Sequence, residues 1–226
     1  MSKYTDFQDK PINKTLSYIH WFFVSNIYFM LCNILLIASA LFIGFKFNFS
    51  LLFFISLIPT GPALTALFSF TNKLITDKYV DTTRDYFKGY SNNILISLKV
   101  WLIFLIISFI LILDLKLCFN SGKFLFLLLP LFIIMISSTA IISYTIPIIS
   151  KYQIKLFDSL KLSIYLVFSK PVNTLINLGI IAFSLYILIY SNGFIALFIS
   201  SISCYLINLN LKSSYLFINN KYLNQQ

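Results

Sequence analysis

Apolar residues fall along the chain in long blocks separated by short polar stretches, and the block lengths are the first guide to the fold. A helix needs roughly 20 mostly apolar residues to cross about 30 Å of hydrocarbon. Six blocks approach that length, at about Ser17–Phe45, Phe49–Phe70, Asn93–Leu113, Phe124–Ile149, Val172–Tyr190 and Phe194–Leu211. They predict an all-α bundle of about six transmembrane helices, forming a single membrane domain over residues 1–226. The first block is longer than the roughly 7–15 residues of a signal-peptide core and no small-residue cleavage site follows it, so it reads as an uncleaved anchor. Pro59, Gly61 and Pro62 interrupt the second and predict a helix broken at Pro59–Pro62. Ser191, Asn192 and Gly193 mark a tight turn between the last two.

Two polar stretches are longer than connections require. In residues 77–93, Asp81 is placed to cap a short helix over Thr82–Gly89, with Val80, Thr83, Phe87 and Tyr90 on one side. In residues 150–170, Lys151, Lys155, Asp158 and Lys161 recur every three or four positions opposite Ile154, Phe157, Leu160 and Ile164. Both read as amphipathic helices at the inner membrane surface, either anchoring there or docking a partner. Each lies between two spans, and Pro59 and Pro147 fall in the spans leading into them. That arrangement hints at a repeated unit of the kind found in duplicated transporter folds.

Composition agrees with the blocks: 59% of residues are hydrophobic and 11% charged, against about 25% charged in soluble domains. An ordinary water-soluble enzyme is excluded. The net charge of +10 is dispersed between apolar blocks and includes one arginine, Arg84, which disfavours nucleic acid as a partner. Cytoplasmic loops near membrane spans retain Lys and Arg. Every basic residue except Lys46, Lys116 and Lys123 lies in the N-terminal tail, the loops at 73–99 and 151–170, or the C-terminal tail. The pattern predicts a multi-pass protein of the cytoplasmic membrane with both termini inside. Cys32, Cys118 and Cys204 have no CxxC spacing and imply neither disulfide framework nor zinc site.

Residues 56–67 read SLIPTGPALTAL, and the chain continues through Asn72, Lys73 and Leu74 into Thr83-Arg84-Asp85-Tyr86-Phe87-Lys88-Gly89-Tyr90-Ser91-Asn92-Asn93. This resembles the YesL-like family of bacterial integral membrane proteins, whose pattern is P-x-G-P-A-x-x-A-L, a basic residue, then D-F-F-x-x-(F/Y)-K-x-N-F. Residues 25–33, SNIYFMLCN, are similar to the S-N-x-Y-x-x-L-C-N stretch of its Firmicute members, and Asp114 matches an aspartate ending their third hydrophobic segment. The departures are Tyr86 for the first Phe, Ser91 and Asn92 around the K-x-N position, and Ile94 for the final Phe. The resemblance implies association with carbohydrate-utilisation and sugar ABC-transporter genes, and assigns no catalytic or ligand residues.

Candidate chemistry is sparse. Pro59, Thr60, Gly61 and Pro62 should unwind a span and free backbone carbonyls, with Ser56, Thr60 and Thr65 adding hydroxyls. Two readings stand: a substrate site of the transporter type, or a packing kink satisfied by neighbouring helices. Asn26 and Asn33 share a helix face and read as interhelical hydrogen-bonding groups or ligands. Asp85 leads the second motif. Asp114, with Lys116, falls at the outer interface, where an ion pair or a proton-coupling carboxylate fits. His20 is the only histidine, and no GxSxG, HExxH or phosphate-loop signature occurs. The expectation is therefore no catalytic, cofactor or metal site.

Two functions from different classes follow. The first is a non-enzymatic accessory or regulatory component of carbohydrate uptake, docking a permease or ATPase subunit through Tyr86, Phe87, Tyr90, Phe157 and Asp158. The second is a small autonomous transporter or channel using the broken second helix. An intramembrane enzyme would need His20, Asp114 or a buried serine gathered into one polar cluster.

Overall fold

The computed structural model describes residues 11–42, 50–77, 80–121, 125–152, 154–190 and 196–219. These are helical almost throughout: α1 (Pro11–Cys32), α2 (Ile34–Phe42), α3 (Ser50–Ser56), α4 (Thr60–Thr76), α5 (Thr82–Ser121), a 3-10 turn (Leu125–Leu127), α6 (Leu128–Tyr152), α7 (Leu156–Ser169), α8 (Pro171–Tyr190), α9 (Ala196–Asn210) and α10 (Lys212–Ile218). The all-helical bundle matches the expected class. The turn expected at Ser191–Gly193, and the block ends at 43–45, 49, 124 and 194–195, lie outside the described residues.

Among the described residues four helical stretches are long and apolar enough to cross a membrane: Leu51–Thr76, Thr82–Asn120, Leu128–Tyr152 and Pro171–Tyr190. The bent pair Thr15–Cys32 and Ile34–Phe42 makes a fifth if it counts as one span. Of the expected sixth, Phe194–Leu211, the described residues show α9, 15 residues or about 22 Å at 1.5 Å per residue, ending where Leu211 turns before α10. Among the described residues it is a shorter apolar helix than the four above. The first block also departs from a straight rod, since its two helices meet at 69°.

The expected short helix at residues 82–89 is likewise corrected. It is the opening of α5, whose 40 residues run about 60 Å without interruption. Asp81 caps it as the sequence indicates, its Oδ1 accepting from Arg84 N at 3.2 Å. Asp85 Oδ2 accepts in return from Asp81 N at 3.0 Å, so both sides of the helix start are satisfied in the manner of a capping box.

Helix α4 is the hub, packed against α5, α6, α9 and α1. Gly61, Ala63 and Ala66 are buried along it with Leu67, Phe68 and Phe70. Small residues let helix backbones approach closely, which is how apolar helices gain van der Waals contact without a hydrophobic drive between them. A Cβ on Gly89 of α5 would sit 2.8 Å from Ser69 Cβ of α4, so glycine is required at that crossing. On the other side Asn208 of α9 donates to Phe68 O at 3.0 Å and Thr71 Oγ1 at 2.8 Å. Tyr215 Oη of α10 donates to Asn208 Oδ1 at 2.7 Å, completing a buried chain of bonds.

Candidate functional site

The proline-glycine segment joins α3 to α4, and its geometry follows from the missing donors. Pro59 has no N–H to offer Ile55 O, and Ile58 N bonds that carbonyl instead at 3.1 Å. Thr60 N similarly turns to Leu57 O at 3.1 Å. The helix thus tightens over residues 57–59 and resumes. The predicted break is present as this local tightening, and Leu51–Thr76 still runs on as one stretch.

Neighbouring helices take up what the break frees. Trp101 Nε1 of α5 donates to Leu57 O at 2.8 Å. Its ring fills the space beside Gly61, where any Cβ would collide with Trp101 Cβ and Cγ. Thr60 Oγ1 donates to Asn33 Oδ1 at 2.7 Å. Asn33 stands at the bend between α1 and α2, and its Nδ2 donates to Phe29 O at 2.8 Å. Ser39 and Ser56 share a hydrogen bond of 2.9 Å. Asn33, Ser39, Ser56, Thr60 and Trp101 therefore clasp three helical segments together at the bend and the break. Asn26 is also fully buried, one face-repeat earlier on α1.

The remaining predicted residues disperse. Asp85, 8% exposed, pairs with Lys73 Nζ at 2.6 Å, tying the start of α5 to the end of α4. Tyr86 is a correction: it is fully buried, donates to Ala63 O at 3.3 Å and offers no docking surface. The cause is the flush packing of the first turns of α5 on α4. Phe87 is exposed on one side and packs on Tyr28 at 5.2 Å between ring centroids, while Tyr90 is half-buried. Phe157 is 76% exposed, and Asp158 beside it is also exposed on the first turn of α7. Asp114 lines an otherwise apolar cleft of about 700 Å³ with Leu117, Cys118, Leu127, Pro130, Leu131 and Ile134.

Several organising residues were not singled out from sequence. Trp101 and Asn208 are two. Tyr144 and Thr174 are others, 3.1 Å apart. Thr174 Oγ1 donates to Val167 O at 3.2 Å, the carbonyl that Pro171 cannot reach for want of an N–H. Polar side chains inside apolar blocks were the available signal, since each needs a partner there. Among the described residues no group of three His, Cys, Asp or Glu is placed to hold a metal ion.

The architecture is that of a helical bundle with several elements suited to a bilayer. A family model described as "Protein of unknown function, DUF624" matches residues 22–115, from α1 through most of α5. This is the stretch that carries the YesL-like motifs, and the chain is similar to that family over it. No curated protein and no solved structure matches the chain.

Proposed function

We propose that this chain is a multi-pass protein of the bacterial cytoplasmic membrane, with both termini inside, and that it acts as a non-enzymatic accessory component of carbohydrate uptake. It binds a permease or ATPase subunit of a sugar transporter through α7. The observation that carries the docking reading is the two-sided character of that helix. Ser159, Leu162, Ser163 and Leu166 are buried, and α7 packs on α6. Phe157, Asp158 and Lys161 stand outward together. A patch that sets an aromatic ring among a carboxylate and an ammonium suits a protein surface, whose rims are polar. Hydrocarbon solvates neither charge.

Orientation draws support from the grouping of cations. Lys151 Nζ lies 4.0 Å from the Tyr215 ring centroid, and Lys170 Nζ bonds Ser213 Oγ at 3.2 Å. Two basic stretches remote in sequence thus meet at α10, as loops on one side of a membrane do. The carbohydrate link rests on the YesL-like resemblance. The clasp at Pro59–Pro62 favours the packing role for that segment over a substrate site, because Leu57 O, Thr60 and Gly61 are engaged by Trp101 and Asn33.

The test is in-cell photocrosslinking from a probe at Phe157, with identification of the captured protein and measurement of sugar uptake after gene deletion. Capture of a sugar permease or ATPase, with slowed uptake, is the expected result. Capture of lipid or its own copies alone, with unchanged uptake, would falsify the docking role.

A further inference from the structure

Helix α7 ends at Ser169 and α8 begins at Pro171, and Lys170 occupies the corner between them. Its ammonium is held by Ser213 Oγ at 3.2 Å. The same hydroxyl is 3.4 Å from Asn173 Nδ2, and Asn173 and Asn210 exchange amide-to-carbonyl bonds at 2.9 and 2.8 Å. The corner is therefore fixed by α8, α9 and α10 together. Lys212 is exposed beside Ser213. Among the described residues neither Lys170 nor Lys212 pairs with a carboxylate. The acid of α7, Asp158, is twelve positions before Lys170, about 18 Å along a helix.

Below this cationic corner runs an apolar stripe. Val172, Leu175, Ile176 and Phe183 are exposed on α8 at helical spacing, and Phe168, two positions before the corner on α7, is 81% exposed. A fixed ammonium and an exposed hydroxyl, with an exposed lysine next to it in sequence, beside an uncovered apolar stripe match one ligand chemistry: a phosphate diester head carrying acyl chains. We propose that the α7–α8 corner is a binding site for an anionic phospholipid, with its phosphate at Lys170, Ser213 and Lys212 and an acyl chain along α8. Basic pockets between helices at the cytoplasmic face recognise anionic head groups by the same charge complementarity. This site is separate from the Phe157 patch, which lies at the opposite end of α7.

Thermal unfolding of the full-length purified protein tests it, in mixed micelles with phosphatidylglycerol or with phosphatidylcholine. Phosphatidylglycerol should raise the unfolding midpoint over phosphatidylcholine. The double variant Lys170→Gln, Ser213→Ala should bind phosphatidylglycerol about fivefold more weakly, the effect expected of one lysine near an anionic surface. Lys170→Arg should keep the response, and so should Lys88→Gln, exposed on α5. Where the double variant does not fold in phosphatidylcholine, exposed Lys212→Gln is read in its place with the same expected direction. The assignment is overturned by equal response to the two lipids, by an equal loss in Lys88→Gln, or by inorganic phosphate alone reproducing the shift.

Discussion

The α4–α5 hairpin and the α6–α7–α8 unit both start with a proline-bearing helix and both return through a segment with an acid in its first turn, Asp85 or Asp158. They then diverge. The first returns as one 40-residue helix; the second returns in two pieces parted at Lys170–Pro171. In the first, Asp85 is buried against Lys73 and the helices touch through glycine. In the second, Asp158 is exposed, and hydroxyls hold the pieces: Thr145 Oγ1 to Ser163 Oγ at 2.9 Å, and Thr174 with Tyr144 at 3.1 Å. The first hairpin commits its first-turn acid and a glycine to joining helices, with Arg84 and Lys88 left exposed; the second leaves its first-turn acid outward together with Lys155 and Lys161. The unit whose first-turn acid faces out is the one to which partner and lipid binding are assigned.

The contrast breaks most readily at glycine. Gly61→Leu should cost at least about 3 kcal/mol by overpacking against Trp101, read as a collapse of the thermal unfolding midpoint in detergent. Gly179→Leu on α8, where a Cβ meets nothing within 4 Å, should change it little; equal tolerance at the two sites would contradict the close-packed hub. Asp85→Ala should lose about 2 kcal/mol, because it strands Lys73 and uncaps Asp81. Asp158→Ala should stay within about 0.5 kcal/mol. Trp101→Phe keeps a ring beside Gly61 but withdraws the donor to Leu57 O, a loss of about 1 kcal/mol. Among the substitutions that remove a contact, the smallest loss belongs to Thr174→Val, at about 0.6 kcal/mol for a hydrogen bond between apolar helices. Pro171→Ala restores an N–H opposite Val167 O, so adding it should reduce the cost of Thr174→Val in a double-mutant cycle.

Much of this architecture was legible in the blocks of apolar residues, because bilayer-length helices impose a length that composition alone reveals. The Pro59–Pro62 tightening and the Asp81 cap were also legible, since both follow from donors that a residue has or lacks. The continuity of α5 was not: polar residues at 82–93 read as a separate surface helix, and only the packing of Gly89 on Ser69 explains their inclusion. Tyr86 was misplaced for the same reason. The bend at Asn33 has no proline to announce it; the amide side chain competes for Phe29 O in the way that makes Asn unfavourable inside helices. At the clasp, the proline-glycine half could be read locally, while Trp101 is separated from Leu57 by 44 positions and its role depends on the crossing of two helices.

The contact of α9 with α1 and α4 constrains the order in which the chain can be made. Ser201 Oγ bonds Phe22 O across 179 positions at 2.9 Å, and Asn208 reaches Phe68 O across 140. At about 5–20 residues per second, the ribosome needs roughly 10–40 s to travel from Phe22 to Ser201. During that interval α1, and α4 once residue 76 has been passed, have the flank meant for α9 uncovered. The bundle therefore closes only after α9 has been made, and a chain stopped before Ala196 would lack the piece that seals its oldest helix.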